Sequence, residues 1–128
     1  MVSQITRGIK IIVKAHYFGS QEQLGELVNC FDYEISIENH SNDVVQLLRR
    51  YWLIKDALNQ DIVVEGEGVV GKQPVVYPQD IFKYVSGSFV KGHTGSMQGY
   101  FTFINKTTLQ IFHVKIPLFN LSVPYIFN

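Results

Sequence analysis

One cysteine, Cys30, in 128 residues excludes an intrachain disulfide and a thiolate metal cluster. Charge of one sign is also missing: Lys+Arg and Asp+Glu number 11 each. Binding driven by counterion release from phosphates draws on a basic surplus, so no nucleic-acid partner and no attraction to a membrane surface is expected. No stretch approaches the roughly 18 apolar residues of a membrane-crossing helix, and the opening MVSQITRGIK has no apolar signal-peptide core. The expectation is a cytoplasmic protein without direct membrane insertion. The four histidines, His16, His40, His93 and His113, fall in separate segments with no metal-ligand spacing. Neither a serine nor the cysteine carries a nucleophile signature: Ser86-Gly87-Ser88 and Gly95-Ser96 read as turn chemistry rather than G-x-S-x-G. No catalytic residue, metal ligand or cofactor is expected, and the chain does not read as an enzyme.

What is present is apolar and aromatic residues, 46% and 13% of the chain, enough for one self-sufficient domain spanning 1–128. They alternate with period two. Ile9–Phe18 places Ile9, Ile11, Val13, Ala15 and Tyr17 on one face. Cys30–Glu38 alternates most cleanly, with Phe31, Tyr33, Ile35 and Ile37 against Asp32, Glu34, Ser36 and Glu38. Val44–Lys55 has some helical spacing, but its β-branched and aromatic content between two turn clusters favours a central strand. It would put Leu48, Trp52 and Ile54 on one face with Gln46 and Arg50, and Leu47, Arg49, Tyr51 and Leu53 on the other. Further strands are expected over 61–65, 80–85, 97–104, 109–116 and 119–123, with a polar loop over Gly19–Leu27. Seven or eight short strands and no three-turn helix predict an all-β, immunoglobulin- or fibronectin-III-like antiparallel sandwich. Its sheet edges leave homodimer formation open.

Glu65–Ser88 crowds Gly66, Gly68, Gly71, Pro74 and Pro78 into thirteen residues and contains a literal G-x-G-x-x-G. A dinucleotide site needs a helix after the third glycine, its N-terminus facing the pyrophosphate. Here Lys72, Gln73, Pro74 and then Pro78 follow, with β-branched residues between, and no helix begins that way. The stretch reads as a shaped loop, with a backbone anion nest at Lys72 left open as the other reading. Arg49-Arg50-Tyr51-Trp52 is the most concentrated set of binding-type residues. Trp52 is expected in the core, with Arg49 and Arg50 projecting to opposite faces. The candidate binding surface is therefore Gly66, Gly68, Gly71, Lys72, Gln73 and Pro74 with Arg49, Arg50 and Tyr51.

Val45–Trp52 (VQLLRRYW), Gly66-Glu67-Gly68-Val69-Val70-Gly71-x-Gln73-Pro74, Tyr84-x-Ser86-Gly87, Gly95–Tyr100 (GSMQGY) and Ile116-Pro117-x-Phe119-x-Leu121-x-Val123-Pro124 together resemble the bacterial ApaG family. The likeness runs in register from about Ile9 to Pro124. It implies a fibronectin-III-like sandwich, an association with cobalt and magnesium resistance or efflux, and a protein-binding role in related domains of F-box and polymerase-delta-interacting proteins. It supplies no catalytic residues. The resulting expectation is a non-enzymatic module that binds a protein partner. The alternative is a small-ligand binder that uses the glycine stretch, with Lys72 and the nearby arginines, for a nucleotide polyphosphate, or Glu65 and Glu67 for a divalent cation.

Overall fold

In the computed structural model, which describes residues 1–124, period-two alternation becomes two facing sheets. The strands are β1 (Val2–Thr6), β2 (Ile9–Gln23), β3 (Glu26–Asn39), β4 (Val45–Asp56), β5 (Asn59–Glu67), β6 (Val75–Val76), β7 (Ile81–Val90), β8 (Thr94–Asn105) and β9 (Ile111–Ser122). One sheet runs β1-β2-β3-β7 and the other β5-β4-β8-β9, with the two-residue β6 added to β4. Every pairing is antiparallel. Residues 125–128 of the predicted domain lie outside the described residues.

The inner faces are the alternating positions read from the sequence. Ile9, Ile11 and Val13 of β2 and Phe31, Tyr33, Ile35 and Ile37 of β3 meet Leu47, Trp52, Phe101, Phe103, Val114 and Ile116 of the second sheet. Trp52 stands edge-on to three rings, Tyr33 at 5.5 Å, Phe119 at 5.9 Å and Phe101 at 6.3 Å, which joins both sheets through one side chain. Such pairs add about 0.5–1.5 kcal/mol each beyond their area burial. The sandwich is closed on one side, where β1 and β2 lie against β9. On the other side the edge strands β5 and β7 stand apart.

The architecture agrees with the fibronectin-III-like sandwich, but the described residues form nine strands rather than seven or eight. β1 and β6 are additional, while the strands expected at 109–116 and 119–123 are one strand, β9. Its register shifts opposite Met97–Gly99, so that Pro117 occupies a bulge on an edge strand, where its missing N–H breaks no ladder. The polar loop expected over Gly19–Leu27 is instead a continuation of the β2–β3 hairpin, paired to Gln23↔Glu26 and turned at Leu24-Gly25, both at positive φ. A ladder needs backbone partners rather than apolar side chains, and Gly25 supplies the turn. Ser86-Gly87-Ser88 is likewise no turn: it lies inside β7, paired with Tyr33, Asp32 and Phe31. Gly95-Ser96 opens β8, where Gly95 lets the chain pass close to the Lys55 carbonyl.

Asp56, at the end of β4, closes the open end of the sandwich by joining two turns. Its carboxylate accepts from the N–H groups of Leu58, Lys91 and Gly92 at 3.0, 2.6 and 2.9 Å. Partial burial works to raise its pKa, but the three backbone donors and the Lys91 ammonium outweigh that and hold the carboxyl below its ordinary value. A carboxyl with a lowered folded-state pKa contributes stability above its unfolded pKa and loses it as pH falls through the folded one. Asp56→Asn should therefore lower the urea-unfolding free energy at neutral pH, by no more than about 1 kcal/mol because solvent screens this largely exposed carboxylate. The gap between variant and wild type should close below about pH 4, as the wild-type carboxyl protonates. A gap independent of pH would contradict the role given to the charge.

Candidate functional site

A bulge in β4 builds the site. Leu47 pairs with Phe103 and Arg49 with Thr102, so Leu48 has no partner on β8. The extra residue reverses the facing of everything after it. Leu47, expected outward, is buried in the core, whereas Arg50, Trp52 and Ile54 turn inward and Arg49, Tyr51 and Leu53 outward. The Leu48 carbonyl, freed from the ladder, accepts from the Gly68 N–H at 2.8 Å and from Gln73 Nε2 at 3.0 Å. The Leu47 N–H donates to the Pro74 carbonyl at 3.0 Å, and Gln46 Nε2 to the Gln73 carbonyl at 3.1 Å. The glycine stretch is thus bonded along β4.

Each glycine has its own reason. Gly66 pairs with Arg50, whose guanidinium lies 3.2 Å from where a Cβ would stand, a tight contact that glycine avoids. Gly68, at φ +64, passes so near the Lys72 carbonyl that a Cβ would clash with it. Gly71 ends a two-residue hairpin in which Val69 and Lys72 exchange both backbone hydrogen bonds, at 2.8 and 2.9 Å. The intervening Val70 and Gly71 have φ +43 and +79, as a type I′ turn requires. Glycine takes that conformation freely; a β-branched valine does so only under strain of about 1–3 kcal/mol. The shaped loop read from the prolines is therefore a tight hairpin, and it carries no helix.

Arg50 locks the hairpin from within, its Nη1 donating to the Glu67 and Gly68 carbonyls at 2.9 and 3.0 Å. Beyond it the gap between β5 and β7 forms a cleft of about 460 Å³. The cleft exists because β7 places Ser86 and Ser88 at successive inward positions, where Tyr84 and Val90 on either side are large. Ile62, Val64, Trp52, Ile54 and Met97 supply apolar walls, and Val70 stands on its rim. Tyr33 shares a hydrogen bond with Ser86, while the Tyr84 hydroxyl is buried and has no hydrogen-bond partner among the described residues. Burial raises the pKa of both phenols, for Tyr84 well beyond the ordinary range with the Tyr33 phenol adding to it, and the Arg50 charge opposes the rise at each.

The candidate residues thus divide between two surfaces. Gly66, Gly68, Gly71, Gln73, Pro74 and Arg50 form one bonded unit, of which Arg50 and Gly71 line the cleft, with Lys72 exposed on the hairpin. Arg49 and Tyr51 are on the opposite, outer face. There the Tyr51 ring stacks on Tyr100 at 4.9 Å and 14°, and Tyr100 lies against His113 at 4.3 Å. Lys115 extends this row on β9, and Glu65 and Glu67 pair with Tyr51 and Arg49 across β5. Among the described residues no three His, Cys, Asp or Glu side chains group to hold a metal ion. No helix is long and apolar enough to cross a membrane. Sequence reasoning missed Tyr84, Ser86 and Ser88; a signal existed in the two serines alternating inward once β7 is continued through Gly87.

The glycine geometry predicts a ranking measurable by urea denaturation. Gly71→Ala meets open space and should cost about 1–2 kcal/mol for its φ alone. Gly68→Ala should cost more, since backbone must also move, whereas Val70→Gly should be neutral or stabilising through relief of strain. Equal costs at 68 and 71 would contradict the hairpin geometry.

The family model for the ApaG domain matches residues 19–105. The chain is 40% identical over 124 residues to protein ApaG of Brucella abortus (strain S19), covering 97% of this chain and 95% of that one. It is 36% identical over 120 residues to protein ApaG of Edwardsiella ictaluri, covering 94% and 95%. A crystal structure described as an ApaA protein from Bordetella pertussis superposes with a TM-score of 0.83 at 29% identity, over 92% of this chain and 95% of that one. A second X-ray structure, from a structural-genomics programme, reaches 0.87 at 29% identity, over 94% and 90%. With a domain match over residues 19–105 and relatives 36–40% identical over nearly the whole chain, the chain belongs to the ApaG family.

Proposed function

We propose that this protein is a non-enzymatic module that binds a protein partner through the outer face of β4, β8 and β9. The observation that carries this reading is the Tyr51–Tyr100–His113 ring stack between Arg49 and Lys115, on a sheet face that no second layer of the described chain covers. Tyrosine offers a large contact area at low conformational-entropy cost and arginine a planar fork of hydrogen-bond donors, and both types are enriched where binding energy concentrates. A shallow depression lined by Tyr51, Leu53, Gln98, Gly99, Tyr100 and Lys115 provides a seat for a partner side chain. On this reading any bearing on cobalt or magnesium resistance runs through the partner.

The ligand-binding alternative at the glycine stretch draws less support. The N–H groups of Gly68, Val69 and Lys72, which an anion nest would turn outward, donate to Leu48, Lys72 and Val69 carbonyls. Self-association has one observation in its favour: β5 is an edge strand with exposed Ile62, Val63 and Val64.

The test is affinity capture from cytosol with wild type, with the double variant Arg49→Glu/Tyr51→Ala, and with Lys83→Glu on the other sheet as control. A partner retained by wild type and control but lost by the double variant, about tenfold or more, is expected. Equal retention by all three, or dimerisation in sedimentation that depends on Val63 rather than Tyr51, would overturn the outer-face assignment.

A further inference from the structure

We propose that the cleft between β5 and β7 is a binding site for a compact apolar monocarboxylate, held by the Tyr84 hydroxyl and the Arg50 guanidinium with its body against Trp52, Ile54, Val64 and Met97. This site is separate from the outer face and does not depend on a protein docking there.

The chemistry of the walls selects the ligand. A volume of about 460 Å³ falls within the usual range of ligand pockets, about 300–1,000 Å³. Among the described residues Arg50 is the one charged residue of the lining, and no carboxylate faces it there. An ammonium group entering the cleft would meet no counter-charge, so amino acids and amines are disfavoured. One guanidinium compensates one negative charge; a phosphate dianion would bring a second into apolar surroundings without compensation. A single carboxylate satisfies both limits.

One polar group of the lining is unsatisfied and another is held in advance. The Tyr84 hydroxyl is buried without a partner among the described residues, and a hydrogen bond left unmade in such a place costs about 1–3 kcal/mol. Few native hydroxyls remain in that condition, which marks this one as a ligand contact. Arg50 is fixed by two bonds from Nη1 alone, so its remaining nitrogens are available in a set orientation. Arg50, Tyr33 and Tyr84 all line the same cleft. An acceptor bearing negative charge there completes Tyr84 and pairs with Arg50 together.

The hairpin then has a purpose beyond its own folding. Gly66 gives the guanidinium room, and Gly68 provides one of the carbonyls that hold it. Val70, strained at positive φ and 54% exposed, presents a branched apolar side chain at the mouth. A less strained glycine or asparagine there would leave the rim without it.

An NMR titration with hydrocinnamate tests the proposal, with hydrocinnamamide as the neutral isostere and phenylalanine as the same body bearing an ammonium. Hydrocinnamate should move the amide signals of Gly71, Ser86 and Ser88 and the Trp52 indole saturably, and bind about tenfold or more tightly than either control. Tyr84→Phe should weaken binding about fivefold while raising the thermal midpoint, since it removes an unsatisfied hydroxyl. Ser88→Leu, which fills the cleft, should abolish binding, and Arg50→Gln should erase the preference for the acid over the amide. No saturable shift at millimolar hydrocinnamate, equal binding of the amide, or undiminished binding by Ser88→Leu would each overturn it. A lowered thermal midpoint in Tyr84→Phe would also overturn it, by giving the hydroxyl a structural role.

Discussion

The bulge at Leu48 is the constraint on which the site depends. A strand presents alternate residues to alternate faces, so one unpaired residue exchanges the faces of all that follow. In β4 the exchange puts Leu47 and Trp52 on the same inner surface although they are five positions apart, and turns Arg50 inward while Arg49 faces solvent. The same bulge releases the Leu48 carbonyl, which the hairpin uses through Gly68 and Gln73. The facing of β4 toward core, cleft and outer surface is therefore a consequence of one irregularity in one ladder. Bulges are often found where a side chain has to be re-aimed, and here the re-aimed side chain is an arginine.

The glycine stretch illustrates how a familiar text pattern acquires a different meaning from its surroundings. In a dinucleotide fold the three glycines let a chain wrap a pyrophosphate at a helix N-terminus. In this chain they let a hairpin fold against its neighbour strand. Gly66 makes way for a guanidinium, Gly68 passes a carbonyl, and Gly71 supports a type I′ turn with Val70. The backbone donors that would face a phosphate are used within the hairpin. Loop residues that look permissive are in this case closely specified, each by a different contact.

The sandwich is asymmetric in a way that bears on binding. One side is closed by β1 and β2 against β9; the other is left open between β5 and β7, where small inward serines meet an arginine and two tyrosines. A purely apolar filling of this gap would pack more simply, since a buried phenol without a partner and a strained valine both work against stability. Features that oppose stability while lining a cleft are where function is to be sought.

Much of the fold could be read in advance. Alternation over Cys30–Glu38, the aromatic and β-branched character of Val44–Lys55 and the spacing of turns identified the sandwich, because burying one face of a sheet leaves a local, period-two trace. Pro74 and Pro78 were enough to rule out a helix after Gly71, since proline acts on its own neighbours. What the sequence alone determined was local in this sense. The tertiary structure decided the rest: that polar Gly19–Gln23 continues a strand, that Ser86-Gly87-Ser88 lies within a sheet, and that Leu47 rather than Leu48 joins Trp52. Backbone pairing and bulges depend on partners distant in the chain, and leave no pattern in the residues themselves. Arg50, Tyr84 and Ser88 were brought to one cleft by that pairing, and nothing in their spacing along the chain announces it.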